Sequence, residues 1–182
     1  TKSKIIYLLE KLLSRISNYL IAVSEDTKFK CLEFGIVPKV SWEVIFPGIE
    51  FREAKVKFRT QVINFLWVGR FESIKDPFLA INIFSNLLKN KNLKMRSTMV
   101  GSGLLFDKIR KLAYELKLDI KFTDWQDNIE NIYDNHDCLL VTSVNEGFGM
   151  VSAEAQMSGL CVFSVDTGGS KNLIKDGETG FT

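Results

Sequence analysis

Apolar and polar positions fall into a regular rhythm from residue 62 onward. Val62–Val68 is an apolar run that reads as a strand, and Met95–Val100, Asp119–Thr123, Asp137–Thr142 and Leu160–Val165 read as further strands. Between them the apolar positions recur at helical spacing. Asp76 and Pro77 predict an N-cap and first position for a helix to about Lys89. A second helix follows Gly101-Ser102-Gly103 and runs to about Lys117. Shorter helices are predicted over Asp127–Tyr133, over Met150–Ser158 (closed by Gly159) and over Ser170–Ile174, ahead of a turn at Asp176-Gly177. Strands that alternate with helices predict an α/β fold, a parallel sheet with helices on both faces.

The first fifty residues have a different texture. Ile5, Leu8, Leu9, Leu12, Leu13 and Ile16 form a helical stripe within Lys4–Ser17, expected to dock on a core; a membrane surface is the lesser alternative. Tyr19–Val23 reads as a strand, Ser24 as an N-cap, Glu25–Phe34 as a helix and Gly35 as its stop. Pro38 breaks the chain, and Glu43–Phe46 reads as a strand before Pro47-Gly48. Residues 50–61 are polar and weakly patterned, which suggests a linker. Residues 1–49 are therefore expected to form one unit and 50–182 another. The chain opens on Thr1 rather than Met and closes just after a turn, so it is expected to be a piece of a longer protein, truncated at both ends.

Composition narrows the classes. With 182 residues, 46% of them hydrophobic and 25% charged, the chain fits one soluble core plus an appendage. A net charge of +2 argues against nucleic acid as a partner, although cations are dense at Lys2–Arg15 and Arg52–Arg59. No apolar run reaches the roughly 20 residues that a membrane span requires. Cys31, Cys138 and Cys161 form no CxxC pair and fit buried thiols of a reducing, cytoplasmic compartment. His136 is the sole histidine and no DxD motif occurs, so no metal site is expected and His136 is read as structural.

In a parallel sheet, ligands gather at the carboxyl ends of the strands. The loop after Val68 holds Gly69, Arg70 and Lys75. Its two cations suit an anion such as a diphosphate, and equally suit a solvated surface. Gly101-Ser102-Gly103 could present helix-start amides to phosphate or be a plain tight turn. The loop after Thr142 is EGFGMVSAE, with Glu146 and Glu154 bracketing Gly147, Phe148, Gly149 and Met150. The glycines permit close backbone approach to a ligand, and the carboxylates can accept from hydroxyls. Both acids also fit ordinary surface positions. Eight residues of helix rise about 12 Å, which disfavours a glycosidase pair needing roughly 5–9.5 Å.

Taken in order, IAVSE, VIFPGIE (Phe46 preceding the retained Pro47-Gly48), WVGRFESIKDP, VGSG, EGFGMVSAEAQMSGLCV and DTGGSKNLIKDGETGF resemble the retaining glycosyltransferases of the GT-B fold, family 4, also called glycosyl transferases group 1. The resemblance implies a Rossmann-like donor-binding half over 50–182, with residues 1–49 as the tail of an acceptor domain. It implies that Arg70 and Lys75 bind the diphosphate of a nucleotide-sugar and stabilise the leaving nucleotide without a cofactor or metal. Glu146, with Gly147–Met150, would hold the sugar, and Glu154 the ribose. Asp124 and Trp125 would lie beside the base, and Gly69, Gly101, Ser102 and Gly103 would line the cleft. It further implies a hexosyltransferase of polysaccharide or lipopolysaccharide synthesis, acting on a glycan or lipid-linked glycan at the inner face of the membrane. This chain alone is expected to be inactive, because the acceptor half with its glycine loop and histidine is missing. A GT-B epimerase or phosphorylase would need a catalytic set not found in these loops. A non-catalytic nucleotide-sugar-binding domain would lack the acceptor half even in the whole protein.

Overall fold

The computed structural model describes residues 2–55, 61–166 and 168–182. Its first part comprises α1 (Lys2–Ser14), β1 (Tyr19–Ala22), α2 (Glu25–Glu33) and β2 (Ser41–Val44). There follow β3 (Ile63–Val68), a 3-10 turn (Ser73–Lys75), α3 (Pro77–Leu88), β4 (Met95–Val100), α4 (Phe106–Glu115), β5 (Ile120–Thr123), α5 (Glu130–Asp134), β6 (Cys138–Val141), α6 (Met150–Met157), β7 (Cys161–Ser164), a 3-10 turn (Gly168–Asn172) and β8 (Gly180–Phe181).

β1 and β2 pair in parallel as a small sheet of their own. The main sheet is parallel throughout, in the order β5-β4-β3-β6-β7-β8. The chain steps outward from β3 to β5, then returns past β3 and steps outward the other way. The reversal falls between β3 and β6, the point at which α/β sheets open a crevice.

Alternation along the strands builds both faces. Phe65 and Trp67 point into a core with Phe84, Ile81 and Ile109 from α3 and α4. Leu66 points the other way, toward Tyr133 of α5 and Ala155 of α6, with Leu139 and Val162. A helix-covered layer on each face follows from this period of two.

Local signals set several ends. Ser24 Oγ accepts from the Thr27 amide at 3.1 Å and starts α2; Gly35 ends it at φ +71. Asp76, at φ 41, accepts from the Leu79 amide at 3.1 Å and precedes Pro77 as expected.

Some expectations shift. β2 lies two residues earlier than predicted, because Ser41–Val44 pairs with β1 in register and Phe46 is instead set against Phe148, 5.8 Å between ring centroids. α5 begins at Glu130 rather than Asp127. The helix expected over Ser170–Ile174 is a 3-10 turn that starts at Gly168. β8 has no apolar run to announce it; Gly180 pairs with Val162 so closely that an added Cβ would lie 2.4 Å from the Val162 carbonyl oxygen. α1 forms, but its stripe is not docked: Ile5, Leu8, Leu9, Leu12, Leu13 and Ile16 are all exposed. Of the expected linker, Glu50–Lys55 carries no regular structure, and 56–60, with Arg59 of the second basic stretch, lie outside the described residues.

The three cysteines are half-buried. Burial pushes Cys31 and Cys161 above the ordinary thiol range, with Glu10 adding to the effect at Cys31. His136 is held at both ring nitrogens, by the Ile132 carbonyl at 2.6 Å and Thr98 Oγ1 at 2.9 Å. No helix is long and apolar enough to cross a membrane among the described residues.

Candidate functional site

The crevice between β3 and β6 is where the first acid of EGFGMVSAE meets a cation. Lys75, at the end of the loop after β3, pairs with Glu146 in the loop after β6. Their side chains are only 20% and 15% exposed, so the pair is largely out of water. Ser143 Oγ donates to the same Glu146 oxygen at 2.6 Å. Glu146 thus precedes the helix rather than lying on it: α6 starts at Met150, after Gly149 turns the chain at φ +96.

Beneath the pair the two loops are fastened. Thr142 Oγ1 lies 2.8 and 2.9 Å from the carbonyls of Lys75 and Asp76. It also accepts from Trp67 Nε1 at 3.0 Å, and both side chains are buried. The Val144 amide donates to the Ile74 carbonyl at 2.9 Å. Lys75 and Glu146 therefore sit on anchored backbone, as a preorganised site requires. Gly149 supplies no side-chain cap, which leaves first-turn amides of α6 for other acceptors.

Glu154 lies further along α6 and faces a different space. Its Oε2 accepts from the Tyr133 hydroxyl at 2.9 Å. Both line a cavity of about 390 Å³ beneath α6, together with Ile49, Arg52, Met150 and Met157. The two carboxylates have separate partners and do not form an acid and base pair.

One wall of this cavity is the Gly48–Arg52 segment. Arg52 pairs with Asp134, and with Glu130 at 3.4 Å; Lys55 reaches Asp134 at 2.7 Å. The Lys55 hydrogen bond, with Arg52 adding to it against the opposing effect of burial, holds the Asp134 carboxyl below its ordinary value. A lowered folded value stabilises above the unfolded pKa of about 3.9, and that stabilisation fades as pH falls through the folded value. Asp134→Asn should therefore unfold at lower urea than wild type at pH 7, and the gap should narrow at an acid pH below the unfolded value. A gap of the same size at both pH values would contradict this role.

Gly101 and Gly103 serve loop packing. A Cβ on Gly101 (φ +138) would lie 2.0 Å from the Gly69 carbonyl oxygen, and one on Gly103 (φ +147) would lie 2.7 Å from that of Phe71. Phe71 N donates to the Ser102 carbonyl at 2.8 Å, and Leu105 N to the Phe71 carbonyl at 2.9 Å. These contacts delay α4 to Phe106, so the turn does not open the helix directly. Asp107, in the first turn of α4, puts a negative charge where an anion would compete.

Gly168 and Gly169 do the same for the loop after β7. Added Cβ atoms would lie 2.1 Å from the Glu146 carbonyl oxygen and 2.3 Å from that of Gly147. From the first part of the chain, Thr27 Oγ1 donates to the Gly147 carbonyl at 3.3 Å and Lys30 Nζ to Asn145 Oδ1 at 2.9 Å.

Other expected site residues sit at the rim. Arg70 is 62% exposed and pairs with Glu72 at 3.3 Å. Trp125 is 58% exposed, and its amide is bonded by Asp124 Oδ1 at 2.8 Å. Phe148 is half-buried and Met150 exposed. No group of three or more His, Cys, Asp or Glu side chains that could hold a metal occurs among the described residues. Sequence reasoning missed Ser143, Thr142 and Tyr133. Ser143 carries a hint, as a hydroxyl directly after a buried strand.

A model of the family described as glycosyl transferases group 1 matches residues 49–182. The chain is 31% identical over 138 residues to a D-inositol 3-phosphate glycosyltransferase of Corynebacterium efficiens, which covers 71% of this chain and 32% of that one. It is 29% identical over 192 residues to an uncharacterized glycosyltransferase of Methanocaldococcus jannaschii, covering 95% of this chain and 48% of that one. Among solved structures it is similar to HepE of Anabaena in complex with UDP and glucose, with a TM-score of 0.83 at 20% identity, covering 96% of this chain and 51% of that one. The chain spans about a third to about half of the length of these relatives.

Proposed function

This chain belongs to the glycosyl transferases of group 1, and from that premise we propose that it is the donor-binding half of an enzyme that moves a hexose from a nucleotide-sugar to an acceptor hydroxyl, with retention and without a metal. The observation that carries the reading is the meeting of Lys75 and Glu146 at the strand-order reversal, with the Glu154 cavity on the helix that follows Glu146.

In this reading the ammonium of Lys75, which has three donors, keeps hydrogens for a phosphate oxygen while paired to Glu146. Arg70, exposed at the rim, swings onto the diphosphate. Glu146 and the Gly147–Met150 backbone hold the sugar, and Glu154 holds the ribose. Asp124 and Trp125 lie beside the base. Gly69, Gly101, Ser102 and Gly103 shape the cleft wall. The bond from the sugar's anomeric carbon to the diphosphate breaks with its electron pair on the phosphate oxygen. A new bond forms to the acceptor oxygen, whose proton is released. The two cations stabilise the charge that builds on the departing diphosphate.

Residues 1–49 are then the end of an acceptor domain and 50–182 the donor domain. A role in surface polysaccharide or lipopolysaccharide synthesis at the cytoplasmic face of the membrane follows the family's pattern. Uridine nucleotides come first to test, since HepE of Anabaena was solved with UDP and glucose. Titration calorimetry with UDP, GDP and ADP should show binding of at least one, unchanged by EDTA. No binding of any of the three would overturn the donor reading. Binding lost with EDTA and restored by a divalent ion would overturn metal independence.

A further inference from the structure

Glu154 is proposed above to grip the ribose, and what aims it is a residue that no part of that reading uses. We propose that Tyr133 is a positioning residue for the ribose site: its hydroxyl holds one oxygen of Glu154 and turns the other toward the nucleoside. This rests on the donor-binding reading and adds the device that makes Glu154 selective for a sugar bearing hydroxyls.

The geometry is specific. Tyr133 lies in α5, a single short turn between β5 and β6, and is 2% exposed. Its ring packs in the core with Leu66, Leu139 and Ala155, so the side chain has no freedom to swing. From that fixed ring the hydroxyl donates to Glu154 Oε2 at 2.9 Å. Glu154 Oε1 has no partner among the described residues, and both residues line the 390 Å³ cavity. A carboxylate can accept through both oxygens. With Oε2 occupied by a fixed donor, the carboxylate plane is set and Oε1 is the oxygen presented to a ligand. Glutamate has three side-chain torsions and would otherwise spread over several rotamers.

The donor is also durable. Burial first, and then the neighbouring Glu154 charge, push the Tyr133 hydroxyl far above its ordinary range. It therefore stays a protonated donor at neutral pH. α5 is itself braced by the ion pairs of Arg52 and Lys55 to Asp134, the residue next to Tyr133.

The test compares three probes by calorimetry on the purified protein: UDP, 2′,3′-dideoxyuridine diphosphate and inorganic pyrophosphate. The wild type should prefer UDP over the dideoxy analogue. Tyr133→Phe should shrink that preference by about fivefold to tenfold, less than outright loss of a hydrogen bond to a charged group, because Glu154 itself remains. Its pyrophosphate affinity should stay unchanged, which also reports an intact site. Glu154→Gln should shrink the same preference. If Glu154→Gln does so and Tyr133→Phe does not, the positioning role is overturned while the ribose reading stands. If neither variant changes the preference, both fall. If Tyr133→Phe weakens all three probes alike, the contact is merely structural and the proposal is overturned.

Discussion

Lys75→Ala is expected to weaken UDP binding by about 1.5–3 kcal/mol, roughly a tenfold to hundredfold rise in Kd, the range for one hydrogen bond between charged groups. The substitution also strands Glu146, which is 15% exposed and whose hydroxyl partner Ser143 does not neutralise it. Removing one partner of such a pair costs more than removing both. The two effects can be separated. Lys75→Met with Glu146→Gln should recover much of the stability lost in the single variant, because no lone charge remains. It should not recover UDP binding, because the ammonium is still absent. Recovery of binding in the double variant would show that Lys75 acts only by neutralising Glu146. Arg70→Ala should cost less than Lys75→Ala, because Arg70 is exposed and shared with Glu72.

The second large effect is expected on the fold. Gly101→Ala places a Cβ 2.0 Å from the Gly69 carbonyl oxygen, at φ +138. The obstacle is main chain, so no rotamer change relieves it. Backbone strain and overpacking each cost about 1–3 kcal/mol, so a loss of about 3 kcal/mol or more is expected. For a chain of this size that lowers Tm by about 10 °C. Gly48→Ala is the matched control, since nothing lies within 4 Å of its added Cβ and it needs no unusual φ. Equal melting of the two variants would mean that the loops after β3 and β4 are not held together in solution.

These two residues also show how far the sequence could be read. Strands β3, β6 and β7 were legible because each is a short apolar run, β8 was not because it has none, and Asp76-Pro77 marked a helix start because capping is local. Lys75 and Glu146 were legible as loop residues at carboxyl ends of strands. Their meeting was not: they are 71 positions apart, and only the order β4-β3-β6 brings them together. Gly101 and Gly103 could be seen as special without a reason. Phosphate contact and loop packing both call for glycine, and the backbone contact that tells them apart is not local. Tyr133 looked like one more apolar position of a short helix, because its hydroxyl finds a partner 21 residues on. The α1 stripe predicted a docked helix, since periodicity reports which side is apolar but not what lies opposite it.

The glycines around the crevice have a further consequence. Gly101 and Gly103 meet the Gly69–Phe71 backbone, while Gly168 and Gly169 meet the Glu146–Phe148 backbone, with no side chain between them. The two halves of the collar are therefore each keyed like gear teeth, and Val144 to Ile74 couples one half to the other. Such a rim cannot be re-spaced by drift in side-chain volume, because there is no volume to vary. If the proposed donor site is right, a change in the nucleotide or sugar accepted is expected to fall on side chains that project outward from it, such as Trp125 and Met150. A library aimed at altering the nucleotide or sugar accepted should diversify those two and leave the glycines and Arg70 fixed.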